Sequence, residues 1–342
     1  MSPSVGDDHN ISVIPIIGIG GLGKTALVRL LYNHEMVADH FELRIWVFLG
    51  QDFKVKRAMQ KITECITHSP HLDHFNSNQL QTILAEKLYA RRFLLVLDDV
   101  GNCDNRDWAK FFTFLTDGAK GSKIVVTTRN KLVASTLGTV PMYNLKSVSD
   151  EDCRELLLKW SGLEEVREQH VNLSEISKEI AKKCHGLPLA SKSLGNLMFM
   201  NTNENQWLRF KDTELWELEQ HSRNDILPVL RLSYDSLPAN LKRCFLYCSI
   251  FPKKFEIETD KLIQLWIAQG FIQSSSGLNQ ELEDIGTNYL NQLCSIFFLE
   301  TIEQHGNVLN MCRMLEIIRD LAVFLANVEF LREEEVTKCG SR

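Results

Sequence analysis

No apolar run in the 342 residues approaches the length of a membrane span. The opening segment, Met1-Ser-Pro-Ser-Val-Gly-Asp-Asp, lacks the basic start and apolar stretch of a secretory signal. Basic charge is also short: 38 Lys and Arg against 44 Asp and Glu leave a net charge of −6, which excludes a general attraction to nucleic acid or anionic lipid. The nine cysteines are odd in number and scattered, so no disulfide framework is read, and a reduced, cytoplasmic protein is expected. What is present is ordinary: 44% hydrophobic and 24% charged residues, in a chain long enough for two or three domains.

Against that background one segment stands out. Residues 13–25 read Val-Ile-Pro-Ile-Ile-Gly18-Ile-Gly20-Gly21-Leu-Gly23-Lys24-Thr25, an apolar strand running into G-x-x-x-x-G-K-[ST]. Glycines Gly18, Gly20, Gly21 and Gly23 let successive backbone N–H groups point into one cavity that cradles a phosphate. Lys24 can reach the β- and γ-phosphates, and the Thr25 hydroxyl can ligate Mg²⁺. The helix expected from Ala26 points its positive N-terminus at the same anion. The motif names the ligand class: a nucleoside di- or triphosphate with magnesium.

Further β-branched runs alternate with helical stretches over the first 148 residues. Ile11–Ile19, Leu43–Leu49, Phe93–Asp99 and Lys123–Arg129 read as strands, with a weaker one near Met142–Leu145. Nearly continuous apolar runs predict parallel strands covered on both faces, with the ligand at their C-terminal ends. The third run delivers Asp98 and Asp99, 74 residues after Lys24. Asp98 is a candidate to hold Mg²⁺ through its water shell, and Asp99 to orient the attacking water. The fourth ends in Thr127-Thr128-Arg129, where an arginine can sense a γ-phosphate.

From Ser149 the chain reads as helical. Ser149-Asp150-Glu151-Asp152 is a capping sequence, and Ile176, Ile180 and Cys184 fall on one helix face. Gly186 is expected to end a helix in a left-handed conformation and Pro188 to open the next. Helices follow at 226–233, 239–249, 259–270 and 282–295. A hairpin then turns at His305-Gly306-Asn307, and a last helix covers about 315–326. Helices followed by a β-ribbon suggest a winged helix, a common DNA reader. Yet from Leu262 to Cys312 there is no Lys or Arg, a run of 51 residues spanning the would-be recognition helix and wing. DNA affinity depends on cations meeting phosphates, so a protein partner is expected instead. Cys244 and Cys248, and His68, His71 and His74, are read as core and loop residues rather than metal ligands. Trp207, Trp216 and Trp266 are read as core.

The ordered blocks Ile17–Thr25, Phe41–Phe53, Arg92–Val100, Gly121–Arg129, Gly186–Ala190, Cys244–Pro252 and Leu262–Phe271 resemble the NB-ARC domain of plant nucleotide-binding leucine-rich-repeat resistance proteins of the coiled-coil subclass. The resemblance implies a P-loop α/β domain at 1–148, a helical domain at 149–222, a winged-helix domain at 223–326 and a tail at 327–342. It implies an ADP/ATP-binding switch in immune signalling, with slow hydrolysis at most, in which ADP locks the three domains and exchange for ATP opens them. By the same resemblance Gly23, Lys24 and Thr25 hold phosphates and Mg²⁺, and Asp98 supports the metal. Asp99 is the candidate base, Arg129 senses the γ-phosphate, and Pro188 packs near the adenine.

The chain departs from the family pattern at several points. Ala26 replaces a second threonine and Gly101 a tryptophan, and the short Gly-Arg segment before the first strand is not found. Asn327–Arg342 shows no leucine-repeat pattern. The family's Met-His-Asp, whose histidine meets the ADP β-phosphate, corresponds to Met314-Leu315-Glu316. Leucine donates no hydrogen bond, so the resemblance implies ADP affinity lowered about ten- to a hundred-fold. Two alternatives stay open: a turnover P-loop ATPase, and a degenerate resistance-protein fragment with weakened ADP binding.

Overall fold

The computed structural model describes residues 11–49, 53–69, 72–163, 171–200, 204–212, 227–253, 255–273, 281–304, 307–315 and 317–327. The chain divides into two units, residues 1–146 and 147–342.

The first unit is built on a five-stranded sheet of β1 (Ile11–Ile17), β2 (Leu43–Phe48), β3 (Phe93–Asp98), β4 (Ser122–Thr128) and β5 (Tyr143–Asn144), in the order β2-β3-β4-β1-β5. Every pairing is parallel. All six residues of β3 are buried, as the continuous apolar run requires. Side chains alternate between two cores across the sheet. Leu95, Leu97, Ile124 and Val126 join the larger one with Ile45 and Val47. Leu94, Val96 and Val125 join the smaller one with Ile16 and Val28. Helices α3 (Val55–Thr67) and α4 (Ser77–Leu88) supply Met59, Ile62, Leu80 and Leu84 to the larger core, while α1 (Lys24–Asn33) closes the smaller one through Val28. Each fully buried aliphatic side chain contributes about 1.5–3 kcal/mol, so this two-sided burial holds the strand ends that carry the polar residues.

Local chemistry sets the helix starts. Asn76 and Gln79 form a reciprocal capping box on α4, and Asp104 and Asn130 cap α5 (Asn105–Thr113) and α6 (Lys131–Leu137). A short helix that the sequence pattern did not separate, α2 (Glu35–His40), is capped by the His34 ring accepting the Met36 N–H. Helix α1 begins at Lys24, two residues before the expected start.

The second unit opens with α7 (Asp150–Trp160), whose Ser149–Asp152 capping box is formed as the sequence suggested. Helices α8 (Val171–Lys183), α9 (Pro188–Met200) and α10 (Glu204–Asp212) follow. Ile176, Ile180 and Cys184 are all buried, as their four-residue spacing predicts. Gly186 has φ 71 and follows His185 at φ 48; Pro188 is the first residue of α9.

Next come α11 (Leu227–Asp235), α12 (Ala239–Tyr247), a 3₁₀ turn at Cys248–Ile250, α13 (Thr259–Ala268) and α14 (Leu282–Ser295). A three-stranded antiparallel sheet joins β6 (Ile257–Glu258), β8 (Asn307–Arg313) and β7 (Glu300–Gln304), in that order. The hairpin was legible from sequence; the two-residue β6 beside it was not. Helix α15 covers 317–327. Phe245 packs on Phe298 with ring centroids 4.5 Å apart, and Arg319 donates to the carbonyls of Phe251 and Ser249. Trp207 and Trp266 are core residues as expected. Trp216, His71, Glu316, the hairpin tip at 305–306 and the tail from 328 lie outside the described residues.

Candidate functional site

The site is assembled at the C-terminal ends of β1, β3 and β4. After Ile17 the chain turns through Gly18 to Gly23 and enters α1. Gly21 has φ 78 and Gly23 has φ 98, left-handed backbone that costs an L-residue about 1–2 kcal/mol. Gly23 is also the N-cap of α1, and no side chain caps that helix end. Orphan amides at a helix start are a ready partner for an anion. Gly18 is constrained by packing: a Cβ there would stand 2.8 Å from Leu22 Cδ2. Gly20 is buried within the turn, and Ala26 is exposed on the first turn of α1.

Lys24 is 7% exposed and arches back over the loop. Its ammonium donates to the carbonyls of Gly18 at 2.7 Å and Ile19 at 3.0 Å. A cation is thereby held at the mouth of the glycine turn. One residue on, the Thr25 hydroxyl donates to the Asp98 carboxylate, 3.0 Å from Oδ1 and 3.2 Å from Oδ2. The sequence placed these two residues at one sheet edge; in the structure they touch, although Thr25 lies on α1, which follows β1, and β4 separates β1 from the β3 that carries Asp98.

Asp98 is 2% exposed. A buried carboxylate needs donors, and β4 supplies another: Thr127 Oγ1 lies 2.5 Å from Asp98 Oδ1. The Thr127 Oγ1 in turn accepts the Asp99 N–H at 2.7 Å. Asp99 lies just past β3 in a left-handed conformation, φ 56, which Asp tolerates better than most residues. Its carboxylate faces Arg129, with Nε 3.8 Å from Oδ1. Thr127 was not singled out from sequence. Its signal was its place near the C-terminal end of β4, two residues before Arg129.

The donor set fits a nucleotide and its metal. The glycine turn offers backbone amides and a lysine ammonium for phosphates. Thr25 and Asp98 offer a hydroxyl and a carboxylate, the hard oxygen ligands Mg²⁺ prefers, in direct contact with each other. Pro188 belongs to the second unit, at the first position of α9 after the Gly186 turn. In the same unit Met314 is buried and Leu315 half-buried, and the Leu315 carbonyl accepts the Arg319 N–H at 2.9 Å.

Among the described residues, no group of three or more His, Cys, Asp or Glu side chains could hold a metal ion. Cys248 instead donates its S–H to the Cys244 carbonyl within the core. Likewise, no helix among the described residues is long and apolar enough to cross a membrane.

Comparison with known proteins agrees with this geometry. The NB-ARC domain family matches residues 5–166, and the disease resistance protein winged helix domain family matches residues 250–322. The disease resistance protein RGA2 of Solanum bulbocastanum is 40% identical over 337 residues, 98% of this chain and 34% of that protein. RGA4 of the same species is 43% identical over 319 residues, 93% of this chain and 32% of that protein. The chain thus spans about a third of the length of these curated relatives. A solved structure, the Signal Transduction ATPase with Numerous Domains protein with a tetratricopeptide repeat sensor from Pyrococcus horikoshii, covers 94% of this chain and is itself covered over 43%. Its TM-score of 0.54 at 16% identity shows a shared fold. With a phosphate-loop domain on a parallel sheet, a helical part and a winged helix in that order, and with relatives matching along nearly its whole length, the chain carries an NB-ARC domain and a disease resistance protein winged helix domain and is homologous to plant disease resistance proteins.

Proposed function

We propose that this chain is the ADP/ATP-binding switch core of a plant innate immune receptor, in which nucleotide exchange controls interdomain opening and hydrolysis is slow at most. The observation that carries the reading is the Thr25–Asp98 contact at 3.0 Å, one residue after a lysine that arches over the glycine turn. On this reading Gly18, Gly20, Gly21 and Gly23 shape the phosphate cradle, Lys24 neutralises the phosphates, and Ala26 belongs to the helix start behind them. Thr25 and Asp98 hold the Mg²⁺ water shell, and Pro188 packs near the adenine. Bound Mg²⁺ supplies charge neutralisation on the phosphate oxygens.

Slow hydrolysis is supported by the Asp99–Arg129 pair. Asp99, the candidate base, already faces a guanidinium, which engages the carboxylate that would take a proton from water. Arg129, the candidate γ-phosphate sensor, is engaged in turn. The proposed domain organisation is a nucleotide-binding domain to residue 148, a helical domain at 149–222, a winged-helix domain at 223–326 and a tail at 327–342. Signalling partners are proposed to be proteins, in line with the 51-residue stretch free of Lys and Arg, and the site of action cytoplasmic.

The second reading, a turnover P-loop ATPase, draws on the Asp99 carboxylate being 16% exposed and so open to water. Steady-state hydrolysis by the purified chain separates the two. Turnover well below one per minute, with ADP retained through purification, supports the switch. Multiple turnovers per minute support the enzyme. No binding of either nucleotide supports a degenerate fragment.

A further inference from the structure

We infer that Thr127 is a positioning residue for the metal side of this site: its hydroxyl fixes the Asp98 carboxylate in the orientation that serves Mg²⁺. The inference rests on the nucleotide-switch reading above. Thr127 is completely buried on β4, the strand that separates β3 from β1. Its hydroxyl has one proton and spare acceptor capacity. A carboxylate only accepts and a backbone N–H only donates, so both roles are forced. The proton goes to Asp98 Oδ1 at 2.5 Å, and the Asp99 N–H comes in at 2.7 Å.

The backbone carbonyl of the same residue accepts the Val100 N–H at 2.8 Å. Thr127 therefore holds three consecutive residues: the carboxylate of Asp98, the amide of Asp99 and the amide of Val100. Between the two amides the chain is kept left-handed at Asp99, φ 56. Thr25, by contrast, is shared between both oxygens of Asp98, at 3.0 and 3.2 Å. When Thr25 turns a lone pair to a metal, Thr127 remains committed to Oδ1, and the carboxylate keeps its orientation. A hydroxyl at position 127 is then needed for the Mg²⁺-dependent part of nucleotide affinity, whereas the phosphate cradle on β1 and α1 does not depend on it.

The test compares the full chain with Thr127→Val, which keeps the shape and removes the hydroxyl, and Thr127→Ser, which keeps the hydroxyl. ADP and a non-hydrolysable ATP analogue are titrated in Mg²⁺ and in EDTA, with thermal unfolding as the check on folding. Thr127→Val is expected to lose about ten-fold in affinity in Mg²⁺ while its affinity in EDTA stays within about two-fold, and Thr127→Ser is expected to restore the Mg²⁺ affinity. Should Thr127→Val not fold, Thr127→Cys, a weaker donor of similar size, is expected to show the same selective loss to a smaller degree. Equal losses in Mg²⁺ and EDTA, no loss in Mg²⁺, or a serine variant as impaired as the valine one overturns the inference alone. A wild-type chain whose nucleotide affinity is the same in Mg²⁺ and EDTA overturns the metal-site reading along with it.

Discussion

Arg129 Nε lies 3.8 Å from Asp99 Oδ1, so the two groups proposed to attend the γ-phosphate attend each other. With side chains 29% and 16% exposed, the pair is partly screened and modest in strength. A γ-phosphate, more highly charged than a carboxylate, is expected to draw the guanidinium away.

Arg129→Ala is therefore predicted to weaken binding of a non-hydrolysable ATP analogue about ten-fold and to leave ADP affinity unchanged. Calorimetric titration of both nucleotides reads the difference. Equal loss for both would assign Arg129 to general charge rather than to discrimination.

Gly186 is the clearest stability test. Its φ is 71, and a Cβ would stand 2.6 Å from both Ser147 Cβ and the Val148 carbonyl oxygen. Backbone strain and overpacking together predict a loss of about 2–4 kcal/mol for Gly186→Ala. That corresponds to about 5–15 °C in the unfolding midpoint of the second unit, measured by thermal unfolding.

The buried thiols set an alkaline limit. Burial pushes Cys184, Cys244 and Cys312 up to about 12 from an ordinary 9.0, and Cys248 well above it. In the unfolded chain these groups ionise near their ordinary value, so above it the unfolded state binds fewer protons than the native one. The stabilisation is fully present below about pH 9 and is lost as pH rises toward about 12. Denaturant midpoints are predicted to hold steady from pH 7 to 8.5 and fall above 9. For the same reason these four cysteines are predicted to resist alkylation at pH 8 in the native chain and to react once it is unfolded, while exposed Cys65 reacts before them.

Leu315 bears on affinity. By resemblance to the family a histidine belongs here, and Leu315→His is predicted to raise ADP affinity about ten- to a hundred-fold. Unchanged affinity by titration would mean that position 315 plays no part in holding ADP in this chain.

The strands and the phosphate loop were legible because their signals are local. Leu94–Leu97 is a short apolar run of the kind a strand buried on both faces requires, and the glycines at 18–23 stand at fixed offsets from Lys24. Gly186 and Ser149–Asp152 likewise act on their own neighbours. Less legible were features set by distant pairing. Strand β6 is two residues long and exists because Ile257 and Glu258 pair with Cys312 and Met311. The role of Thr127 depends on β4 lying between β3 and β1, an order no local pattern announces. The Asp99–Arg129 contact belongs to the same class: both residues were named as candidates, but that they face each other follows from strand order and the left-handed turn at Asp99.

The central claim is that Gly18–Thr25 with Asp98 holds a nucleotide tightly enough to act as a latch. It is tested most directly by purifying the full chain in Mg²⁺, releasing and quantifying bound nucleotide by chromatography, and repeating this with Lys24→Ala. The account predicts ADP in the wild-type chain at a substantial fraction of one per molecule, and its loss in Lys24→Ala without loss of fold. Wild-type chain that carries no nucleotide and binds none on titration, or Lys24→Ala that retains it fully, would contradict the account.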